Sequence, residues 1–363
     1  MRVLVVNAGS SSLKLRLLDD GDQLLRGADV TVGAGGIDTG ELARVLTGWP
    51  APDSVGHRIV HGGALFTGAA LITAEVREQL AALTDLAPLH QPKSLAALDA
   101  VSHQLPDVPA VACFDTAFHA GIPIAAATYP VPLEWRTRYG IRRFGFHGLS
   151  HAYCTHRAAM IAGLAEPDLR VVSCHLGAGA SLAAVVGGQS VDTTMGFTPL
   201  DGLVMATRSG SLDPGLVLWL EEHEHLSPHE ISLALETRSG MLALAGTADM
   251  REVESAAAAG HDDAALALEV YLHRLAAGVA GMCAALGGLD ILAFTGGVGE
   301  NSIVVRAGLA DRLAFLGVGI DDAANASTGD RDVSSAGSPV RSVVIAARED
   351  LQIARETRLL LGS

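Results

Sequence analysis

The residues with chemical reach in this chain gather in short segments rich in Gly, Ser, His and Arg. At the N-terminus, MRVLVVNAGSSSLK runs from an apolar stretch through Asn7, Gly9 and three serines into a second apolar stretch, with Lys14 beside Leu13. Apolar run, small polar turn, apolar run predicts a β-hairpin. Gly and Ser let backbone N–H groups approach an anion closely, and the Ser10 and Ser12 hydroxyls with the Lys14 ammonium add donors, so the chemistry on offer is phosphate binding. It is not a Walker loop, because GxxxxGK[ST] is absent and the segment passes from strand to strand. Taken alone, the turn reads equally as a plain polar hairpin.

Four further segments set charge among Gly and apolar neighbours. GHRIVHGG (56–63) holds Arg58 beside a Gly pair, and FDTAFH (114–119) puts Asp115 at the end of a strand. FGFHGLSH (144–151) sets His147 among Phe and Gly, and ATRSGSLDP (206–214) places Arg208 in a Gly/Ser loop ahead of a capped helix. Each alone is more often a buried ion pair than a catalyst; their joint occurrence points to chemistry. His147/His151 and His57/His61 have i, i+4 spacing that suits zinc, but neither pair carries the Glu of HExxH.

These residues need rigid elements to hold them, and the chain supplies an internal echo. Residues 171–189, VVSCHLGAGASLAAVVGGQ, repeat the opening layout of strand, polar residue, Gly-rich turn and strand, with His175 in place of Asn7. Two such hairpins half a chain apart predict a duplicated domain, since solenoid repeats recur every ~20–50 residues. Between them, residues 74–86 (Val76, Leu80, Leu83) and 94–105 (Leu95, Leu98, Val101, Leu105) show helical spacing, and Val108 to Cys113 reads as a strand ending at Asp115. Asp213-Pro214 and the capping box Ser227-Pro228-His229-Glu230 mark helix starts. Residues 262–286 read as a helix, and Ile291 to Thr295 as a strand feeding a Gly loop, GGVGEN (296–301), with a helix through Val304, Val305 and Leu309 behind it. That unit offers N–H groups and a positive dipole end to an anion. Asn325 to Pro339 lacks periodicity and reads as a surface loop. The tail 349–361 reads as a helix with Leu351, Ala354 and Arg358 on one side, its first turn carrying Glu349 and Asp350, either as capping charges or as a place for a hydrated metal.

Composition bounds the answer. The chain has 363 residues, long for one core, with 49% hydrophobic and 4% aromatic residues and 41 Gly, which suits two layered α/β lobes. A formal charge of −15 repels nucleic acid and anionic lipid, so an anionic substrate must be drawn in by local cations. Only two lysines occur, Lys14 and Lys93, which makes the one in the Ser-rich hairpin informative. Cys113, Cys154, Cys174 and Cys283 are scattered without CxxC spacing and predict buried thiols in a reducing compartment. No signal peptide and no run of eighteen purely apolar residues is legible, so the expectation is a cytoplasmic protein off the membrane.

NAGSSSLK, GHRIVHGG, LAPLHQP, FDTAFH, FGFHGLSH, CHLGAG, GFTPLDG, TRSGSLDP, FTGGVGEN and EDLQIARET, in this order over essentially the whole chain, together resemble the acetate kinase family. The resemblance implies a duplicated ribonuclease-H-like (actin/hexokinase/Hsp70-type) α/β fold of two domains with ATP in the interdomain cleft. The expected division is 1–117 plus 351–363 for one lobe and 118–350 for the other. It implies ATP or ADP and Mg²⁺ (or Mn²⁺) as cofactors, acetate as substrate, acetyl phosphate as product, and a homodimer. Carried over position by position, catalytic roles fall on Arg58, Asp115, His147 and Arg208, metal roles on Asn7 and Glu349, and phosphate roles on Ser10, Ser12 and Lys14. Nucleotide contacts fall on His175, Leu176, Gly177, Ala178 and Gly179, on Asp249, Met250 and Arg251, and on Gly297, Val298, Gly299, Glu300 and Asn301. The acyl pocket falls on Arg58, Val60, Leu89, His90, Phe146 and Pro199. The family's HLGNG is HLGAG here, and a family Gly is Ala206. Two alternatives stand beside acetate: a propionate or short-chain carboxylate kinase, and a nucleotide-binding relative without turnover.

Overall fold

The computed structural model describes residues 1–363 apart from Ser10, Ser11, Ala34, Gly35, Leu89, Glu166 and Ser363. The chain opens with β1 (Val3–Ala8), β2 (Ser12–Leu18), β3 (Leu24–Gly33), β4 (Gly36–Ile37), α1 (Thr39–Thr47), β5 (Ser54–Ile59), β6 (Ala70–Leu71), α2 (Ala74–Ala82), α3 (Gln91–Gln104) and β7 (Ala110–Phe114). Short helices α4 (Ile124–Ala127) and α5 (Leu133–Tyr139) lead to α6 (Gly148–Ala162), β8 (Arg170–Leu176), β9 (Ala180–Val186) and β10 (Gln189–Thr193). Then come α7 (Pro214–His223), α8 (Pro228–Thr237), α9 (Gly240–Ala245), α10 (Met250–Ala258) and α11 (Asp262–Leu286). The chain finishes with β11 (Ile291–Thr295), α12 (Gly296–Asn301), α13 (Ile303–Arg312), α14 (Asp322–Ala326), β12 (Arg331–Asp332), β13 (Arg341–Val344) and α15 (Glu349–Leu361). One unit comprises Met1–Ala120, Phe146–Tyr153 and Arg348–Ser363; the other comprises Gly121–Gly145 and Cys154–Ala347.

The two sheets share a plan. The first runs β4-β3-β2-β1-β5-β7-β6 and the second β10-β9-β8-β11-β13-β12. In each, an antiparallel three-strand meander is followed by two strands parallel to its first, and a short antiparallel strand closes the far edge. Both Gly-rich hairpins occupy the same place in this plan, with Asn7 opposite Lys14 in the first and His175 opposite Ser181 in the second.

Strand parity decides what the first unit buries. Leu4 and Val6 point to the side covered by Ala97 and Val101 of α3, whereas Val3 and Val5 meet Ile353 and Ala354 of α15, joined there by Val111 and Cys113 of β7. On β5 the residue on the α15 side is Gly56: a Cβ there would lie 2.5 Å from Thr357 Oγ1 and 2.6 Å from Ile353 Cγ2. Only glycine lets α15 lie this close to the sheet. The buried stripe of that helix is therefore Ile353, Ala354 and Thr357; Leu351 and Arg358 of the expected face sit at its margins. Arg358 instead donates to Asp22 Oδ1 (2.6 Å) and to the Asp19 carbonyl, tying the helix to the β2–β3 turn.

Other expectations shift by local chemistry. Helix 74–86 stops at Ala82, because Leu83 N–H and the Thr84 hydroxyl turn back to the carbonyls of Leu80 and Ala81. The second helix starts earlier, at Gln91, with Pro92 in its first turn, and the strand expected at 108–113 is Ala110–Phe114. GGVGEN is not a loop: the chain turns into α12 directly after Thr295. The stretch from Asn325 to Pro339 is not wholly loop either, since Arg331–Asp332 pairs with β13. Asp213 and Ser227 cap α7 and α8 as their sequences require. All four cysteines are free and buried. Among the described residues one helix, α11, is long and apolar enough to cross a membrane by length and composition, although Glu269 and Arg274 interrupt it so that it is not a purely apolar run. It lies on β8, β9 and β10 and buries Tyr271, Leu275, Val279, Met282 and Leu286, the stripe of a core helix.

His57 and His61 are core residues rather than an exposed ligand pair, and burial pulls their pKa values, with that of His119, down to about 4. Each stays neutral when folded but takes up a proton near its ordinary value when unfolded, so stability falls as pH drops below about 6.5. At about 1.4 kcal/mol per histidine, urea unfolding should show a loss of about 4 kcal/mol between pH 7.5 and 5.5. A flat profile would contradict neutral burial. The α15 seam gives a second expectation: Gly56→Ala should cost about 1–3 kcal/mol by overpacking, read as a lower urea midpoint at unchanged m.

Candidate active site

Within the first unit, the strand parity that builds the α15 seam also brings four polar side chains together. Asn7 continues the Val3–Val5 row, Arg58 follows Gly56, and Asp115 follows Val111 and Cys113, so all three leave the carboxyl ends of parallel strands on the same face. Ligands gather at such strand ends, where no further ladder occupies the backbone. Glu349 opens α15 one turn before Ile353 and faces them. Arg58 Nε and Nη2 donate to Asp115 Oδ1 and Oδ2 at 2.9 and 2.6 Å. Its Nη1 donates to Asn7 Oδ1 (3.2 Å) and lies 3.7 Å from Glu349 Oε2, which also accepts from Asn7 Nδ2 at 3.0 Å.

Asp115 is 1% exposed, and its N–H extends the β5–β7 ladder to the Ile59 carbonyl at 3.0 Å. Burial opposes the Arg58 charge, but Asp115 and Glu349 outweigh it and raise that pKa, so the guanidinium is held charged. Burial pushes the Asp115 carboxyl up from its usual range while Arg58 pulls against that push. One cation against two carboxylates leaves the cluster short of positive charge. Amide and carboxylate oxygens from Asn7 and Glu349 are the hard donors a divalent cation prefers, so the donor set fits a metal. Lys14, opposite Asn7 on β2, is exposed, and Ser12 accepts the Gly9 N–H at 2.8 Å. Ser10 and Leu89 lie outside the described residues.

His147 is tied to Asp115 through the backbone. Its φ is +57°, a left-handed conformation uncommon outside glycine. That turn brings Gly148 N–H to the Asp115 carbonyl at 2.7 Å, where a Cβ on residue 148 would sit 2.3 Å from the same oxygen. Phe146, buried beside it, bonds through its carbonyl to His119 Nε2 (3.1 Å) and meets the His61 ring edge-on with centroids 5.4 Å apart. Gln91 clamps His61 from the far side, accepting from its N–H and donating to its carbonyl. Val60 is buried next to His61, and His90 opens α3, half-buried. Sequence reading missed His61, His119 and Gln91 as supports, because their partners lie about thirty residues away in the chain.

The second unit carries a cavity of about 810 Å³. Its walls include Gly177 and Ala178 from the β8–β9 turn, Asp249 to Arg251 at the start of α10, and Gly297, Val298 and Asn301 from α12. Met241, Ala248, Glu254, Tyr271 and Ser302, which sequence reading did not single out, complete it with Ala206. The two departures from the family pattern meet there, Ala206 N–H donating to the Ala178 carbonyl at 3.2 Å. Five expected nucleotide contacts are not on its wall: Leu176 points into the core, Gly299 lies on the buried face of α12, and Glu300 turns away to accept the Ala347 N–H at 3.0 Å, while His175 and Gly179 flank the turn. Arg208 donates to the Pro199 carbonyl (3.2 Å) and touches Met205 Sδ (3.7 Å), and burial lowers its pKa.

The model of the acetokinase family matches residues 50–355. The acetate kinase of Microcystis aeruginosa is 49% identical over 304 residues, covering 83% of this chain and 76% of that protein. That of Deinococcus radiodurans is 44% identical over 393 residues, covering 100% and 98%. Among solved structures, the crystal structure of Porphyromonas gingivalis acetate kinase superposes with a TM-score of 0.91 at 35% identity over 99% of each chain. A propionate kinase from Francisella tularensis gives 0.90 at 37% identity, again over 99% of each. The shared plan of the two sheets is thus the duplicated fold of these kinases, and the chain belongs to the acetokinase family.

Proposed function

We propose that this chain transfers the γ-phosphoryl group of ATP to acetate, giving acetyl phosphate and ADP, and runs the reaction in reverse. The observation that carries the reading is the Arg58 cluster: a charged guanidinium locked between Asp115 and Glu349 at the ends of parallel strands. An acetate oxygen attacks the γ-phosphorus as the bond to the ADP oxygen breaks, and no proton need move. Such a transfer asks for positioning and charge neutralisation rather than a protein nucleophile. Arg58 presents a planar fork suited to carboxylate and phosphoryl oxygens, and Asp115 fixes its orientation. Arg208 supplies the second guanidinium, and His147, held by its backbone tie to Asp115, a further donor. Val60 and Phe146, both buried in the first unit, would bound the acyl group. Mg²⁺, or Mn²⁺ in its place, would be held by Asn7 and Glu349, and when bound it supplies charge neutralisation on the phosphoryl oxygens. The 810 Å³ cavity of the second unit is the place for the nucleotide.

We further read the chain as a cytoplasmic homodimer. The buried free thiols suit a reducing compartment. Helix α7 buries none of its ten residues within the chain although it carries Leu216, Val217, Leu218, Trp219 and Leu220, an apolar surface suited to a second copy.

Hydroxamate trapping of acetyl phosphate formed from ATP, Mg²⁺ and acetate tests the activity directly. Arg58→Ala and Arg208→Ala should each lower kcat by about 10²–10³-fold, as loss of a preorganised charge partner does. Turnover near that of the parent in either variant would sink the assignment. The likeness to a propionate kinase keeps a second acyl acceptor in view. One methylene is worth about 10–200-fold, so kcat/KM for acetate should exceed that for propionate within this range, and the reverse order would reassign the substrate.

A further inference from the structure

A second, smaller cavity of about 150 Å³ lies behind the nucleotide cavity, with Asn301 on the wall of both. Two guanidiniums line it, Arg306 from α13 and Arg331 from β12. Arg306 is 1% exposed, and every group it touches is an uncharged oxygen: the side chain of Asn325 (2.6 Å) and the carbonyls of Gly299, Glu300 and Asn325 (2.8–2.9 Å). Arg331 likewise donates only to the carbonyls of Ala324, Gly329 and Asn325. Among the described residues neither has a carboxylate within ion-pair distance. Burial and the nearby Arg331 charge pull the Arg306 pKa down to about 10, with Glu254 opposing.

Of the acids nearby, Asp330 is paired with Arg157 and accepts the Ala346 N–H, Glu300, on the cavity wall, is turned to the Ala347 N–H, and Glu254 accepts from Ser302. At the mouth, Thr328 and Gly329 are exposed, and their N–H groups and the Thr328 hydroxyl have no partner among the described residues. Two adjacent guanidiniums, Arg306 buried and Arg331 half-buried, neither within ion-pair distance of a carboxylate among the described residues, face a small cavity rimmed by free donors and are arranged for an anion.

We propose that this cavity binds a small tetrahedral oxyanion of phosphate size, held by Arg331, Arg306 and the Thr328–Gly329 N–H groups, and that its occupancy tunes the nucleotide site. The coupling rests on the nucleotide reading above. It runs through Arg306, whose Nη1 holds the last carbonyls of α12, and through Asn301, whose amide bonds the Gly297 carbonyl (2.8 Å) on the nucleotide wall. A phosphate that draws on Arg306 shifts the end of the helix carrying Gly297 and Val298.

Isothermal titration of inorganic phosphate into the full chain tests this, at ionic strength held constant with chloride. The parent should take up one phosphate more than either Arg331→Gln or Thr328→Asp, neither of which lines the nucleotide cavity. Thr328→Asp places a carboxylate at the exposed rim without removing a buried group, so it remains informative if Arg331→Gln unfolds. In the parent, saturating phosphate should change the ADP dissociation constant at least threefold, and this change should vanish in the variants. Equal phosphate stoichiometry in parent and variants, or a phosphate effect on ADP that survives in them, overturns the proposal. Failure of ADP to bind at all would instead refute the nucleotide reading, with the phosphate stoichiometry still scored separately.

Discussion

The bidentate pair between Arg58 and Asp115 is the interaction around which the first unit is organised. A guanidinium this enclosed is tolerable only with its partners in place, since removing one side of a buried pair costs about 3–5 kcal/mol. Asp115 sits at the end of β7 and Arg58 near the end of β5, so the pair forms only if the two strands are parallel and in the observed register. Glu349 joins only if α15 reaches the sheet, and Gly56, two residues before Arg58 on the same face, is what lets it. The packing seam and the charged cluster are one row of side chains, apolar where α15 covers it and polar where the helix begins.

That dependence explains how the charged cluster rests on a rigid base. Two of its side chains lie two residues beyond a buried hydrophobe on the same face, Asn7 beyond Val5 and Asp115 beyond Cys113. His147 is held by the same logic, its left-handed turn forced by the approach of Gly148 to the Asp115 carbonyl. The backbone strain and the buried charges cluster at one point because each is fixed by neighbours that have no freedom to relax.

Much of this was legible in the residues, and the part that was not has a common cause. The hairpins, the capped helices and the terminal helix follow from local signals: alternation, turn residues, Asp213-Pro214, the Ser227–Glu230 box. The core roles of His57, His61 and His119 were not legible, because burial of a histidine is decided by what covers it, and α3 and the Phe146 segment come from elsewhere in the chain. The pairing of Arg331–Asp332 with β13 has no alternation to announce it, and GGVGEN folds as helix despite three glycines because Arg306 and Asn301 take up its carbonyls. Gly177 and Ala178 of the β8–β9 turn line one cavity with Gly297, Val298 and Asn301 of α12, yet nothing in the local sequence tells Gly177 on its wall from Leu176 beneath it, a difference of one step in strand parity.

The two units solve different electrostatic problems with the same strand plan. In the first, strand ends carry Asn, Arg and Asp, and the cluster is short of positive charge; in the second, the corresponding hairpin ends in Gly177 and Ala178, and the cavity beside it is walled by Met, Ala and Tyr with few charges. A duplicated fold can diverge in this way because its parallel strands fix where side chains emerge but not which ones do. In the second unit a pair of guanidiniums lies one layer further back, at Arg306 and Arg331, held by carbonyl dipoles and the Asn325 amide rather than by carboxylates. Carbonyls orient a guanidinium without cancelling its charge, so the helix that forms part of the cavity wall ends on a cation whose field is still available to a bound anion.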